Sequence, residues 1–385
     1  MPNARRSVAL LIETSNAYGC GLLEGVVGWL REHERWSVQV PEQERGAAPP
    51  AWLSRWRGDG ILARIETEEI AEAVRRRGVP VVNLSKGPVV PGVPCVETDD
   101  AAIARAAFEH LSGRGLRHFA FCGESRFRWS RLREAAFKES AAAAGRTCET
   151  FDAAPAGGRR AARGRMVKWL DRLPRPVGVM ACYDQRGQEL LEACREAGIA
   201  VPEEVAVLGV DDSHLLCELC DPPLSSVRLN TYRTGYEAAS LLDELMSGRP
   251  AGERVTLVPP VGVTTRQSSD VVAVEDPMLA TALRLMRDRA LDGLTVKELL
   301  DAIPLSRRVL ESRLKDVLGR TPHEELTRLR LNHAKRLLAE SELPVADVGR
   351  RSGFRTPDYF AAAFKREVGQ TPRAFRRAAR GLSGG

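Results

Sequence analysis

Ser306-Arg307-Arg308 and Thr356-Pro357-Asp358 open two segments of one design at an offset of 50 residues. At that offset, without a gap, Leu310 falls on Phe360, Leu314 on Phe364 and Lys315 on Lys365, and Gly319-Arg320-Thr321-Pro322 falls on Gly369-Gln370-Thr371-Pro372. A polar cap, an apolar pair one turn apart, a cation and a glycine stop together predict a helix with one buried stripe. "TVKELLDA" and "VADVGRRS" stand upstream at the same offset, so the repeated unit is helix, tight turn, helix. The second helix of such a unit enters the major groove of DNA by its N-terminal end, where outward side chains meet base edges and phosphates. Opposite the apolar stripe the first copy presents Ser306, Arg307, Arg308, Glu311, Ser312 and Lys315, and the second Thr356, Pro357, Asp358, Ala361, Ala362 and Lys365. Paired arginines suit guanine edges, and exposed alanines suit thymine methyls or close approach. Arg376 and Arg377, with Arg380, Arg350 and Arg351, suit phosphates. The plain alternative is a helical bundle with solvated surface charge. The duplication, and a long helix expected over 322–340 that can hold two heads a turn of DNA apart, favour double-stranded DNA.

A second set of chemically capable residues lies at the ends of apolar runs. Ser15, Asn16 and Tyr18 follow the first run, Arg131 and Arg133 stand in "RLREAAF", Asp184 follows "PVGVMAC", and Asp211 ends "EEVAVLGVDD". Carboxylates, an amide and arginines make paired hydrogen bonds to adjacent sugar hydroxyls, and an aromatic ring covers the C–H face. Each alone could be an ordinary cap; several at the carboxyl ends of strands point to a ligand cleft. No Gly-x-Gly-x-x-Gly follows the first run, and there is neither a phosphate loop nor a Gly-x-Ser-x-Gly elbow, so the reading is of a binding module rather than an enzyme. The eight cysteines are scattered singly except for "CELC" at 217–220, with His214 the one histidine nearby. That is short of a zinc set, so neither metal nor cofactor is expected and the thiols read as small packed hydrophobes.

The elements that must position these residues are written in two regimes. From residue 6 to about 265, strand-length apolar runs such as "SVALLI", "VPVVNLS" and "PVGVMAC" alternate with helix-period segments, the pattern of a parallel sheet in a doubly wound α/β fold. At that length two sheets, hence two lobes with a cleft between them, are expected. From Pro277 on everything reads as short capped helices. The predicted division is a ligand sensor over 1–268, a linker over 269–276, and an all-α domain over 277–382 with helix-turn-helix units at about 295–318 and 345–368. Charge follows the same division: 22 lysines and arginines meet 13 aspartates and glutamates from residue 277, against 35 and 38 before it. A basic tail on a neutral partner is the footprint of a polyanion-binding module. No apolar run approaches the roughly 18 residues of a membrane span, and the N-terminal run meets Glu13 without a cleavage-like site, so a soluble cytoplasmic protein is expected.

Gly353, Phe354, Tyr359, Phe360, Phe364, Lys365, Gly369, Thr371, Pro372, Phe375 and Arg376 together resemble the signature of the AraC/XylS transcription regulators, whose two helix-turn-helix units are joined by a linker helix. The order of segments from "RLREAAF" through "VPEEVAVLGVDDS" to "DPPLSSVRLNTYRTGYEAASLL" resembles the periplasmic-binding-protein-like sensor of LacI/GalR repressors, without their N-terminal reading head. The second resemblance implies that Arg133 and Asp211 hold sugar and that Asp184 lies beside a ligand-facing position. Together they imply a sugar-responsive regulator with a monosaccharide effector, xylose foremost. They also imply a homodimer on the operator, and RNA polymerase as a partner if the protein activates, as the family leans to do. Two departures bear on which sugar: Gly19 and Cys20 stand where charged residues can occur in a xylose sensor, and Tyr183 replaces an amide. Three alternatives stay open: a regulator of the same architecture answering a different sugar, a repair regulator with an alkyl-accepting cysteine, and a sugar-converting enzyme with a helical appendage.

Overall fold

The computed structural model describes residues 5–33, 36–85, 90–153, 158–249, 254–270 and 276–379. Most of the expected linker and Arg380 lie outside these residues. The chain divides between residues 271 and 272 into two compact units.

The first unit holds two six-stranded sheets. One is ordered β11-β5-β4-β3-β1-β2, from β1 (Ser7–Leu11), β2 (Ser37–Gln39), β3 (Gly60–Ala63), β4 (Val81–Asn83), β5 (Cys95–Thr98) and β11 (Val255–Val258). The other is ordered β12-β10-β9-β8-β6-β7, from β6 (His118–Gly123), β7 (Cys148–Asp152), β8 (Val177–Ala181), β9 (Val205–Val210), β10 (Ser225–Arg228) and β12 (Gly262–Thr264). The central strands β3, β8 and β9 are buried along their whole length, which is why they read as unbroken apolar runs. All pairings are parallel except β10 with β12. That edge strand departs from the all-parallel expectation because the chain reaches it from β11 of the other lobe, four residues earlier, with no crossover helix to turn it round.

Among the described residues eight helices cover the sheets: α1 (Ala17–Glu32), α2 (Glu68–Arg75), α3 (Asp100–Ser112), α4 (Arg128–Ala143), α5 (Gly158–Leu170), α6 (Asp184–Ala197), α7 (His214–Leu219) and α8 (Thr231–Met246). The side chains of Asn16, Thr67, Asp99 and Asn230 accept from backbone N–H groups in the first turns of α1, α2, α3 and α8. The chain passes between the lobes three times, at 98–100, 228–231 and 258–262, and these passages are tied by Asp99 N–H to Val258 O at 2.9 Å and Val261 N–H to Arg228 O at 2.8 Å. Three short parallel connections make a hinge.

The second unit is helical: α9 (Pro277–Arg289), α10 (Val296–Ala302), α11 (Arg307–Leu318), α12 (Pro322–Glu340), α13 (Val345–Arg351), α14 (Pro357–Val368) and α15 (Pro372–Ala379). It has two small cores. Leu299, Leu310, Leu314 and Leu326 belong to the first, with residues of α9; Leu331, Leu338, Val348, Phe354, Phe360 and Phe364 form the second. α12 runs through both. Ser306 and Thr356 cap α11 and α14, and each helix ends on a left-handed glycine, Gly319 at φ 69° and Gly369 at φ 80°. Only glycine takes that conformation cheaply, hence the repeated stop.

Candidate ligand cavity and nucleic-acid interface

Between the two lobes of the first unit lies a small, partly open cavity of about 30 Å3. From one lobe it receives Tyr18 of α1, Arg64 after β3, Ser85 after β4 and Thr98 at the end of β5; from the other come Trp129 and Arg133 of α4, Tyr183 after β8 and Asp211 after β9. These contributions come from the carboxyl ends of strands or the first two turns of the helices after them, where parallel sheets leave their crevice, and Arg45 adds to them from the irregular 40–50 segment.

Arg133 is the best-fixed of these residues. Its Nε pairs with an Asp100 carboxylate oxygen at 2.8 Å, its Nη1 donates to the Cys182 carbonyl at 2.7 Å, and its guanidinium stands 4.9 Å from the centre of the Trp129 ring. Burial opposes its charge, yet Asp100 and Asp211 hold the guanidinium above its ordinary value. Arg64 pairs with Glu13 and, at 2.5 Å, with Glu66, and lies 4.6 Å over the Tyr18 ring. Burial pushes the Tyr18 phenol well up, partly offset by a hydrogen bond with Thr98, so Tyr18 stays neutral. Asp211 sits at φ 109° and Asp212 at φ 50°. Non-glycine residues held at such angles store strain, and that strain is usual where a side chain must be aimed. Burial raises the Asp211 carboxyl, while Arg45, Arg133 and Arg64 pull it back.

Arginines 45, 64 and 133 on the wall face Glu97, Asp100 and Asp211 in equal number. A balanced, hydrogen-bonding wall suits a neutral polyol better than an acid or a phosphate ester. Two buried polar atoms of the lining, Ser85 Oγ and Trp129 Nε1, have no hydrogen-bond partner. Buried donors left so are rare in folded proteins, and a ligand hydroxyl would satisfy them.

An open cleft of about 850 Å3 adjoins, lined among others by Ser15, Asn16, Asp184 and Leu215 and sharing Arg45, Tyr183 and Asp211 with the inner cavity. Of the expected ligand residues, Tyr18, Arg133 and Asp211 meet at the inner cavity, and Ser15, Asn16 and Asp184 stand on the outer cleft. The Asn16 side-chain oxygen accepts from the Gly19 N–H at 2.8 Å. Asp184 accepts from Ser226 Oγ at 2.6 Å, Ser213 N–H at 2.8 Å and Cys217 Sγ at 3.4 Å, so both its oxygens are committed to its own lobe. Arg131 is exposed, donates to the Ser125 carbonyl, and lines neither space. Sequence reasoning missed Arg45, Arg64, Ser85, Thr98 and Trp129. Ser85 and Thr98 do follow apolar runs and were open to the same argument; Arg45 lies in an irregular segment and carries no such signal.

The cysteines bear on the repair reading. Burial pushes Cys182 and Cys194 up to about 12 and Cys220 up to about 11, the reverse of what an activated thiolate needs. Among the described residues no group of three or more His, Cys, Asp or Glu side chains could hold a metal ion. Nor is any of their helices long and apolar enough to cross a membrane.

On the second unit, Ser306, Arg307, Arg308, Ser312 and Lys315 of the first head and Thr356, Pro357, Asp358, Ala361, Ala362 and Lys365 of the second are all exposed. Glu311, half-buried, pairs with Arg307 at 2.9 Å, leaving Arg308 the less encumbered reader. Arg377 is exposed, but Arg376 donates from Nη2 to the Leu343 carbonyl at 2.6 Å and holds α15 to the loop before α13.

Comparison with known proteins agrees with both units. Residues 108–269 match the model of a periplasmic binding protein-like domain, and residues 299–378 that of a helix-turn-helix domain. The chain is 31% identical over 383 residues to the xylose operon regulatory protein of Escherichia coli strain K12, covering 97% of each, and 28% identical over 379 residues to the protein of that name from Haemophilus influenzae, covering 96% of this chain and 97% of that one. A solved structure of the xylose-binding transcription activator xylR superposes with a TM-score of 0.82 at 30% identity, over 98% of this chain and 99% of that one. The chain therefore belongs to the family of the xylose operon regulatory proteins, transcription regulators that join a periplasmic-binding-protein-like domain to an AraC-type helix-turn-helix domain.

Proposed function

We propose that this regulator is switched by a neutral monosaccharide, xylose foremost, held in the cavity between the lobes, with residues 1–268 as sensor and 277–382 as reader. The observation that carries the reading is the cavity itself: three arginines balanced by three carboxylates, aromatic faces, and the unpartnered Ser85 Oγ and Trp129 Nε1. Tyr18, Arg133 and Asp211 bind the sugar, Arg133 and Asp211 as complementary donor and acceptor for neighbouring hydroxyls. At about 30 Å3 the cavity has room for about two waters, so a pentose is admitted only when the hinge opens. Sugar then draws the opened lobes together around itself, at a wider separation than the empty cavity shows, and this closure re-aims the paired DNA-binding units of a homodimer on its operator in the cytoplasm, where RNA polymerase is recruited. A full switch from 1:99 to 99:1 requires about 5.5 kcal/mol of preference for the closed form.

Arg308 and its neighbours on α11 read base edges; on α14 the exposed Ala361 and Ala362 let the backbone approach, and Arg377 meets phosphate. A gel shift with the DNA upstream of its own gene, run with and without xylose, tests the whole reading. Tighter or re-registered binding with xylose, and none with glucose, is expected. Equal binding under all three conditions, with no pentose or hexose shifting the melting temperature, overturns it.

A further inference from the structure

The 40–50 segment leaves β2 without regular structure and returns to β3 of the same lobe, with Arg45 facing the cleft on the way. The Gln43 main-chain carbonyl accepts from Thr14 N–H at 3.3 Å and ties the segment to its lobe, while the Gln43 side chain donates to the Ala48 carbonyl at 3.0 Å and closes a small loop around Arg45. Its Arg45 reaches rings of the opposite lobe: the guanidinium carbon is 5.0 Å from the centre of Tyr183 and 5.4 Å from that of Trp129. Behind it, Arg45 Nε lies 3.9 Å from the Glu13 carboxylate, an ion-pair distance too long for a hydrogen bond. That Nε is buried and has no hydrogen-bond partner. Arg45 borders both the inner cavity of about 30 Å3 and the outer cleft of about 850 Å3. Of the three residues that border both spaces, with Tyr183 and Asp211, it is the one carried by the irregular 40–50 segment.

Building on the sugar reading above, we propose that Arg45 is the size filter of the sensor: laid across Trp129 and Tyr183, it narrows the way from the inner cavity to the outer cleft and limits the ligand to a single sugar ring. The cation–π contacts to the far lobe re-form as the lobes close on a bound sugar and hold Arg45 at that place. A second ring would have to pass through the position of the guanidinium. Without Arg45, the inner cavity opens on Phe127, Gln185 and Ser213 of the outer cleft, where there is ample volume for another pyranose.

The test is calorimetric titration of the full chain, wild type and Arg45→Ala, with xylose and with its β-1,4-linked dimer. The wild type is expected to bind xylose and to refuse the dimer. Arg45→Ala is expected to bind the dimer, and to release xylose roughly tenfold faster in stopped flow as the inter-lobe contact is lost. If the wild type binds neither sugar, the sugar reading falls and the filter with it. If the wild type binds xylose but also takes the dimer, or if a folded Arg45→Ala chain refuses the dimer or binds neither sugar, the filter alone is overturned. Circular dichroism with an unchanged melting temperature certifies the fold of the variant.

Discussion

Arg133→Met is the most informative single change in the sensor, because the structure assigns Arg133 a load in the fold as well as a place in the cavity. Its pair with Asp100 is buried on both sides, with 5% and 3% of the side chains exposed. Removing one member of such a pair costs about 3 to 5 kcal/mol, since the remaining charge stays out of water. At 2 to 4 °C per kcal/mol for a unit of this size, the sensor transition should fall by roughly 6 to 20 °C. Asp100→Asn should cost less, because Arg133 keeps the favourable field of Asp211, whereas losing Arg133 strips the cation from both acids. The double variant should recover much of the loss, because an amide and a thioether carry no uncompensated charge. The assay is a double-mutant cycle by scanning calorimetry, following the sensor transition and not that of the helical unit. If the two single losses simply add, within about 0.5 kcal/mol, the pair has no coupling and the assignment is wrong. The double variant also separates the two roles: it should fold nearly as well as wild type and still bind xylose far more weakly, because the stem of methionine offers no donor to a hydroxyl.

Other outcomes follow from the same geometry. Burial, and then the neighbouring Asp211, push the Asp184 carboxyl up to about 8 against the donors Ser226, Ser213 and Cys217. The folded chain then holds a proton that an ordinary carboxyl near 4 has released in the unfolded chain, so this group's contribution is full below about pH 4 and is lost as pH rises towards 8; Asp184→Asn should flatten that part of the stability–pH profile in a chemical-denaturation series. In DNA binding, Arg308→Ala should cost about 1 to 3 kcal/mol on the operator and relax one base position, while Arg377→Ala weakens all sequences alike and lowers the salt slope by roughly one unit. Arg376→Ala, in contrast, should leave the salt slope alone and lower the melting temperature of the helical unit, because its guanidinium serves the Leu343 carbonyl. At Gly349 a Cβ would stand 2.8 Å from the Phe360 ring, so Gly349→Ala should destabilise the second head by about 1 to 3 kcal/mol, read as a shift of the helical transition with the sensor transition unmoved.

What could be read from the chain before any coordinates divides by the range of the forces involved. The reading heads are local objects: a cap, a stripe at helical spacing and a glycine stop lie within a dozen residues, so Leu310 and Leu314, or Phe360 and Phe364, could be turned inward on periodicity alone, and all four are fully buried. The central strands were equally legible, since burial on both faces writes an unbroken apolar run such as "VAVLGV". The short strands β2, β7 and β10, with sequences "SVQ", "CETFD" and "SSVR", carry mixed polar residues, and no run distinguishes them from loop. The cavity is non-local throughout: Tyr18, Arg64, Arg133 and Asp211 become neighbours only once two sheets and a hinge exist. A strand-end rule reached three of those four and passed over Arg64, whose charge at the close of "ILAR" reads as an ordinary strand terminus. Arg376 failed for the complementary reason. The period of its own helix turns it outward, but a carbonyl 33 residues away claims it, and periodicity is blind to what another element offers. Local rules therefore assign faces well and partners poorly. In a sensor joined to a reader, that makes the reader the legible half, and it leaves part of the cavity wall to residues such as Arg45 that no pattern singles out.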